Sequence, residues 1–162
     1  MKFASYVMVA ALALTGCQEK AATPSGSSSE ANPDTKPGLT LTLGQLSLPA
    51  VKGNPGAAYF TLTNGGNAVT LAAASVAGAA KAEMHETSGG SMTPIASLTI
   101  KAGEAVAFAR GGKHVMVFEL DPSIVAGSKT EITLTFADGD KLSAPLEVVA
   151  PGQMAMDHGE MH

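Results

Sequence analysis

The chain has 162 residues, a formal net charge of −4 at pH 7, one arginine, no tryptophan and one cysteine. Nucleic-acid binding needs a basic footprint, which this balance excludes. Aromatic stacking platforms for bases or sugars are excluded by the scarcity of aromatic residues, and an internal disulfide by the single thiol.

The chain opens MKFASYVMVAALALTGC. Lys2 is a minimal positive start, and the apolar run Phe3 to Leu14 falls short of the about 20 residues that span a bilayer. A secretory signal over residues 1–16 is expected, in preference to an uncleaved anchor. Leu14-Thr15-Gly16-Cys17 reads as a lipobox, so Cys17 is the expected lipidation site. Residues 17–37 are rich in Ser, Ala, Pro and Gly and have too little apolar surface to offset the entropy of ordering. They read as a flexible linker between lipid and domain. The expected location is the bacterial cell envelope, facing the periplasm, with the choice of membrane open.

Residues 38–150 read as one domain of strands and turns. The strand stretches are LTLTLGQLSL (39–48), AAYFTLTN (57–64), AVTLAAASVA (68–77), AKAEMHE (80–86) and PIASLTI (94–100). EAVAFA (104–109), HVMVFEL (114–120), TEITLTFA (130–137) and KLSAPLEVV (141–149) complete the set. Short alternating runs punctuated by Gly, Asn and Asp predict an antiparallel sandwich or barrel, and no stretch sustains a 3.6-residue period. PSIVAG (122–127) fits a single helical turn or a loop. The tail, 151–162, lacks a period-2 pattern and is expected to be mobile.

All four histidines lie within two residues of a methionine, as Met84-His85, His114-Val115-Met116, Met156-Asp157-His158 and Met161-His162. Methionine is usually a core gap-filler, so each pair has a plain packing reading. Adjacent strand residues face opposite ways. Met84 is therefore assigned to the core, and His85 to the outer face beside the turn. Met92 follows that turn and precedes Pro94, which favours an edge position. His114 and Met116 are two apart and share a face, with Val115 and Val117 opposite. Phe118 has the parity of His114 and Met116, which implies a face running from an open mouth into the core.

Imidazole and thioether form a soft, uncharged donor set. Zinc prefers Cys, His and carboxylate, calcium and magnesium need oxygen, and thioethers select Cu(I). Without a cysteine in the set, a blue-copper electron-transfer site is excluded.

These residues also carry a resemblance. MHET, SMTPI and AGEAVAFARGGKHVMVFEL resemble the bacterial periplasmic copper chaperones of the PCu(A)C family over roughly residues 40–150. The family pattern, a Met, 21 intervening residues and then His-x-Met, fits Met92, His114 and Met116, and His85 fits its first ligand. One departure is that only six residues separate His85 from Met92, where the family has a longer turn. The resemblance implies an all-β, cupredoxin-like Greek-key β-sandwich or barrel. It implies Cu(I) held by His85, Met92, His114 and Met116, and delivery of copper to a respiratory oxidase copper-site subunit or its assembly factors. It further implies a second copper site in the tail, at Met154, Met156, His158, Met161 and His162, with Asp157 and Glu160 adding hard oxygen for Cu(II).

Three other readings compete. Copper buffering or resistance without a dedicated acceptor would use the same residues. A hydrolase would need an activated nucleophile, but no G-x-S-x-G motif occurs and neither His85 nor His114 has an evident partner serine. A metal-free structural sandwich completes the list.

Overall fold

The computed structural model describes residues 35–153, which are all-β, with no helix among the described residues. The strands are β1 (Leu39–Ser47), β2 (Gly56–Asn64), β3 (Val69–Val76), β4 (Ala79–Ser88), β5 (Ser91–Pro94), β6 (Leu98–Ile100), β7 (Ala105–Phe108), β8 (Lys113–Leu120), β9 (Lys129–Phe136) and β10 (Lys141–Val149). Residues 122–127 form a loop.

Period-2 alternation decides which side chains go inward. On β2, Ala58, Phe60 and Leu62 are buried, and on β9, Ile132, Leu134 and Phe136. The strands follow the order β5-β4-β8-β7-β2-β1-β10-β9-β3-β6, with β8 also pairing β2. A parallel pairing of β1 with β10, Gln45 opposite Glu147, joins the two halves of this ribbon. Residues from both halves, among them Phe60, Met84 and Val115 from one and Leu71, Ile132 and Leu146 from the other, form a single core cluster. The ribbon therefore closes over its own apolar face as two layers. Phe60 and Phe108 stack at its centre with ring centroids 4.4 Å apart.

The chain crosses between the layers from β2 to β3, β3 to β4, β5 to β6, β6 to β7 and β8 to β9. The crossing from β5 to β6 corrects the single strand expected over 94–100. Pro94, opposite His85, cannot donate to a further ladder bond. Ile95 then gives its N–H to the Met84 carbonyl, and the chain leaves β4 to pair with β3 as β6.

Two polar devices hold the end where β2 finishes. Asn64 is buried, and its amide nitrogen donates to the carbonyls of Asn67, Ile100 and Lys101 while its oxygen accepts from Gly66 N–H. Lys36, only 9% exposed, ion-pairs with Asp138 and, at 2.6 Å, with Asp140, and stands over the Phe136 ring. The stretch just before β1 is thereby pinned to the β9–β10 turn.

Candidate metal centre

Gly89 and Gly90 connect β4 to β5, with φ of 58° and 83°. Two successive positive φ values make the tight hairpin turn whose twist matches the strands, and glycine adopts them without steric cost. The ladder that follows pairs Ser88 with Ser91, Thr87 with Met92 and His85 with Pro94. On the other side of β4, His85 lies opposite His114 and Glu83 opposite Met116.

Residues directly opposite each other in an antiparallel ladder share a face, as do residues two apart. Glu83, His85 and Thr87 therefore share a face with Met92, His114 and Met116. The four residues singled out from the sequence stand on one side of the β5-β4-β8 edge. Met84, opposite Val115, points the other way and is 4% exposed in the core. The core face of β8 is that of Val115 and Val117. Phe118 lies on the outer face instead, half-buried beneath the Lys81 ammonium at 5.6 Å, so that face does not run into the core.

Exposure is graded across the group. Met92 is 53% exposed, Met116 is half-buried, His85 is 15% exposed and His114 7%. The imidazole centroids are 6.1 Å apart. His114 Nδ1 donates to the Gly112 carbonyl at 3.0 Å, which leaves the Nε2 lone pair free. His85 Nδ1 is buried without a hydrogen-bond partner. An unsatisfied buried nitrogen costs about 1–3 kcal/mol, and a ligand relieves that cost.

Nearby carboxylates are matched by cations. Glu83 pairs with Lys81 at 2.7 Å, and Glu86 with Lys113 at 2.7 Å. The Lys81 hydrogen bond, seconded by His85, holds the Glu83 carboxyl below its ordinary range. Among the described residues no group of three or more His, Cys, Asp and Glu is placed to hold a metal. Thioether donors beside imidazole are a set that suits a soft ion.

Cys17 and Met154, Met156, His158, Met161 and His162 lie outside the described residues. Gln153 is the last described residue. Arg110 Nη2 donates to its carbonyl at 3.1 Å and contacts Ser47 Oγ at 3.4 Å, with the guanidinium 5.4 Å from the Tyr59 ring centroid. Ser47 lies opposite Ala57, which lies opposite Met116, so the tail starts on the face that carries the candidate donors. Sequence reasoning missed Glu83 and Arg110. Glu83 was detectable from its two-residue offset from His85; nothing local marked Arg110.

No curated protein matches the chain. Solved structures do. The copper-bound PCuAC domain from PmoF2 is 18% identical, with a TM-score of 0.60, over 70% of this chain and 94% of its own. Cu(I)-bound DR1885 from Deinococcus radiodurans is 26% identical, with a TM-score of 0.57, over 78% of this chain and 86% of its own. The family model "Putative lipoprotein LpqE-like" matches residues 39–148, from the first strand into the last. The chain has the cupredoxin-like fold of the PCuAC domains and belongs to the LpqE-like family.

Proposed function

We propose that this protein is a copper carrier of the cell envelope, holding Cu(I) through His85, Met92, His114 and Met116 and surrendering it to a protein acceptor. The observation that carries this reading is the gathering of two imidazoles and two thioethers on one face of the β5-β4-β8 edge, each histidine with a ring nitrogen unclaimed by hydrogen bonding. The acceptor is a respiratory oxidase copper-site subunit or an assembly factor for it. Cys17 carries the lipid, residues 17–37 act as the tether, residues 38–150 form the copper-binding domain, and no covalent reaction is catalysed. The lipoprotein description of the family supports the envelope location.

The tail is a second copper site. Its root at Gln153, held by Arg110 on the donor face, supports that role, because donors tethered close to a first site act at high effective concentration.

The test is competition with a Cu(I) chelator. Met116→Leu keeps apolar volume and removes the donor. Outer partners of metal ligands typically contribute about 10–100-fold in affinity, so loss of a direct donor is expected to cost at least as much. Unchanged affinity overturns the site. Transfer to an isolated oxidase copper subunit, measured with and without residues 151–162, decides between a carrier and a buffer.

A further inference from the structure

The geometry points to Glu83 as a positioning residue that fixes which nitrogen of His85 faces the metal. This rests on the reading of His85 as a ligand and extends it. Glu83 Oε2 lies 3.5 Å from His85 Nε2, and its other oxygen is held by Lys81 Nζ at 2.7 Å. Lys81, Glu83 and His85 alternate along the outer face of β4, so the row is built into the strand's period. An ionised carboxylate only accepts hydrogen bonds, so the Nε2 that faces it carries the hydrogen. The lone pair then resides on Nδ1, the buried atom with no partner.

His114 has the opposite arrangement. Its Nδ1 faces the Gly112 carbonyl, also an obligate acceptor, and its lone pair is on Nε2. The two histidines thus present different nitrogens, His85 through Nδ1 and His114 through Nε2. In this scheme Glu83 stays out of the coordination shell, because Lys81 occupies one of its oxygens and His85 the other. A ligating histidine that donates its second N–H to a carboxylate is held in orientation and made a better donor. The 3.5 Å contact is long for a hydrogen bond, and a metal on Nδ1 would make Nε2–H a stronger donor to the carboxylate.

Long-range 1H–15N correlation of the imidazoles in metal-free protein reads the tautomers directly. The parent should show His85 protonated at Nε2 and His114 at Nδ1. Glu83→Gln has one accepting oxygen, which the Lys81 ammonium claims, so its amide N–H turns to Nε2 and should shift the His85 hydrogen to Nδ1, with weaker Cu(I) binding. Glu83→Ala should mix the tautomers and weaken Cu(I) binding by about 10–100-fold, with an unchanged thermal midpoint showing that the fold is intact. The inference is overturned by an Nδ1–H form of His85 in the parent, by Glu83→Ala leaving tautomer and affinity untouched, or by Glu83→Gln keeping the parent's tautomer and affinity. A parent that binds no Cu(I) overturns the copper reading instead, and the metal-free tautomers tell the two failures apart.

Discussion

His85 and His114 stand directly opposite each other across the β4–β8 ladder, and the contacts at their rings engage different nitrogens. Such a pair is set by register. A slip of one residue in either strand would move one imidazole to the opposite face. Val115 and Met84, the buried neighbours of the two histidines, oppose each other in the same ladder, so core burial fixes the register that brings the two imidazoles to one face.

That arrangement predicts a division between two methionines eight residues apart in sequence. Met84→Ala should destabilise the fold by about 2–5 kcal/mol, the usual cost of emptying a buried Met position. Met92→Ala, at a half-exposed edge, should change stability by no more than about 0.5 kcal/mol while weakening Cu(I) binding. Urea unfolding paired with chelator competition separates the two effects.

Exposure also orders the chemistry of the thioethers. Peroxide treatment of the metal-free protein should convert Met92 to the sulfoxide first, Met116 later and Met84 last, because access governs oxidation. Copper loading should protect Met92. Peptide mass spectrometry over a time course reads both the order and the protection.

The β4–β5 turn tolerates few residues. Gly89→Asn is expected to be accepted, since Asn-Gly suits two positive φ values. Gly90→Val places a branched side chain at φ 83° and should cost about 1–2 kcal/mol locally. Because Met92 lies two residues beyond Gly90, the same substitution should lower Cu(I) affinity, and amide exchange across Ser88–Ser91 would report the loosened pairing.

The Lys36 clamp gives a pH signature. Hydrogen bonding to Asp138 and Asp140 raises the Lys36 pKa above its ordinary value of 10.5, and hydrogen bonding to Lys36 lowers that of Asp138 below 3.8. A depressed acid contributes stability that is present above its unfolded pKa and is lost as pH falls through the folded one. A raised base contributes stability that is present below its unfolded pKa and is lost as pH rises through the folded one. Lys36→Met should therefore lower stability across the plateau between those limits. It should also flatten the acid shoulder below 3.8 and the alkaline shoulder above 10.5. Thermal melts over a pH series test this.

Strands with one buried face were legible because alternation is strong there. Phe60 and Leu62 on β2 and Ile132 and Leu134 on β9 announce their side by burial. The two faces of β4 and β8 were legible for the same reason, since parity alone separates His85 from Met84. β5 was not, because all four of its residues are exposed and none repeats with an apolar period. Pairing with β4, which only the folded chain supplies, makes it a strand. The Lys36 seat joins residues about a hundred positions apart, and no local pattern encodes it. Phe118 misled because an aromatic with the donors' parity signals burial, whereas Lys81 covers it from outside.

β5 is held to the sheet along one side only, by β4. With the proposed donors, one sulfur rides on this narrow flap, while His114 and Met116 belong to a strand locked at both flanks. Fraying of the flap would withdraw a single bond and leave three in place. An incoming group on an acceptor would then fill the gap before the remaining bonds yield, and on the proposed site the ion would change hands associatively without passing bare through water.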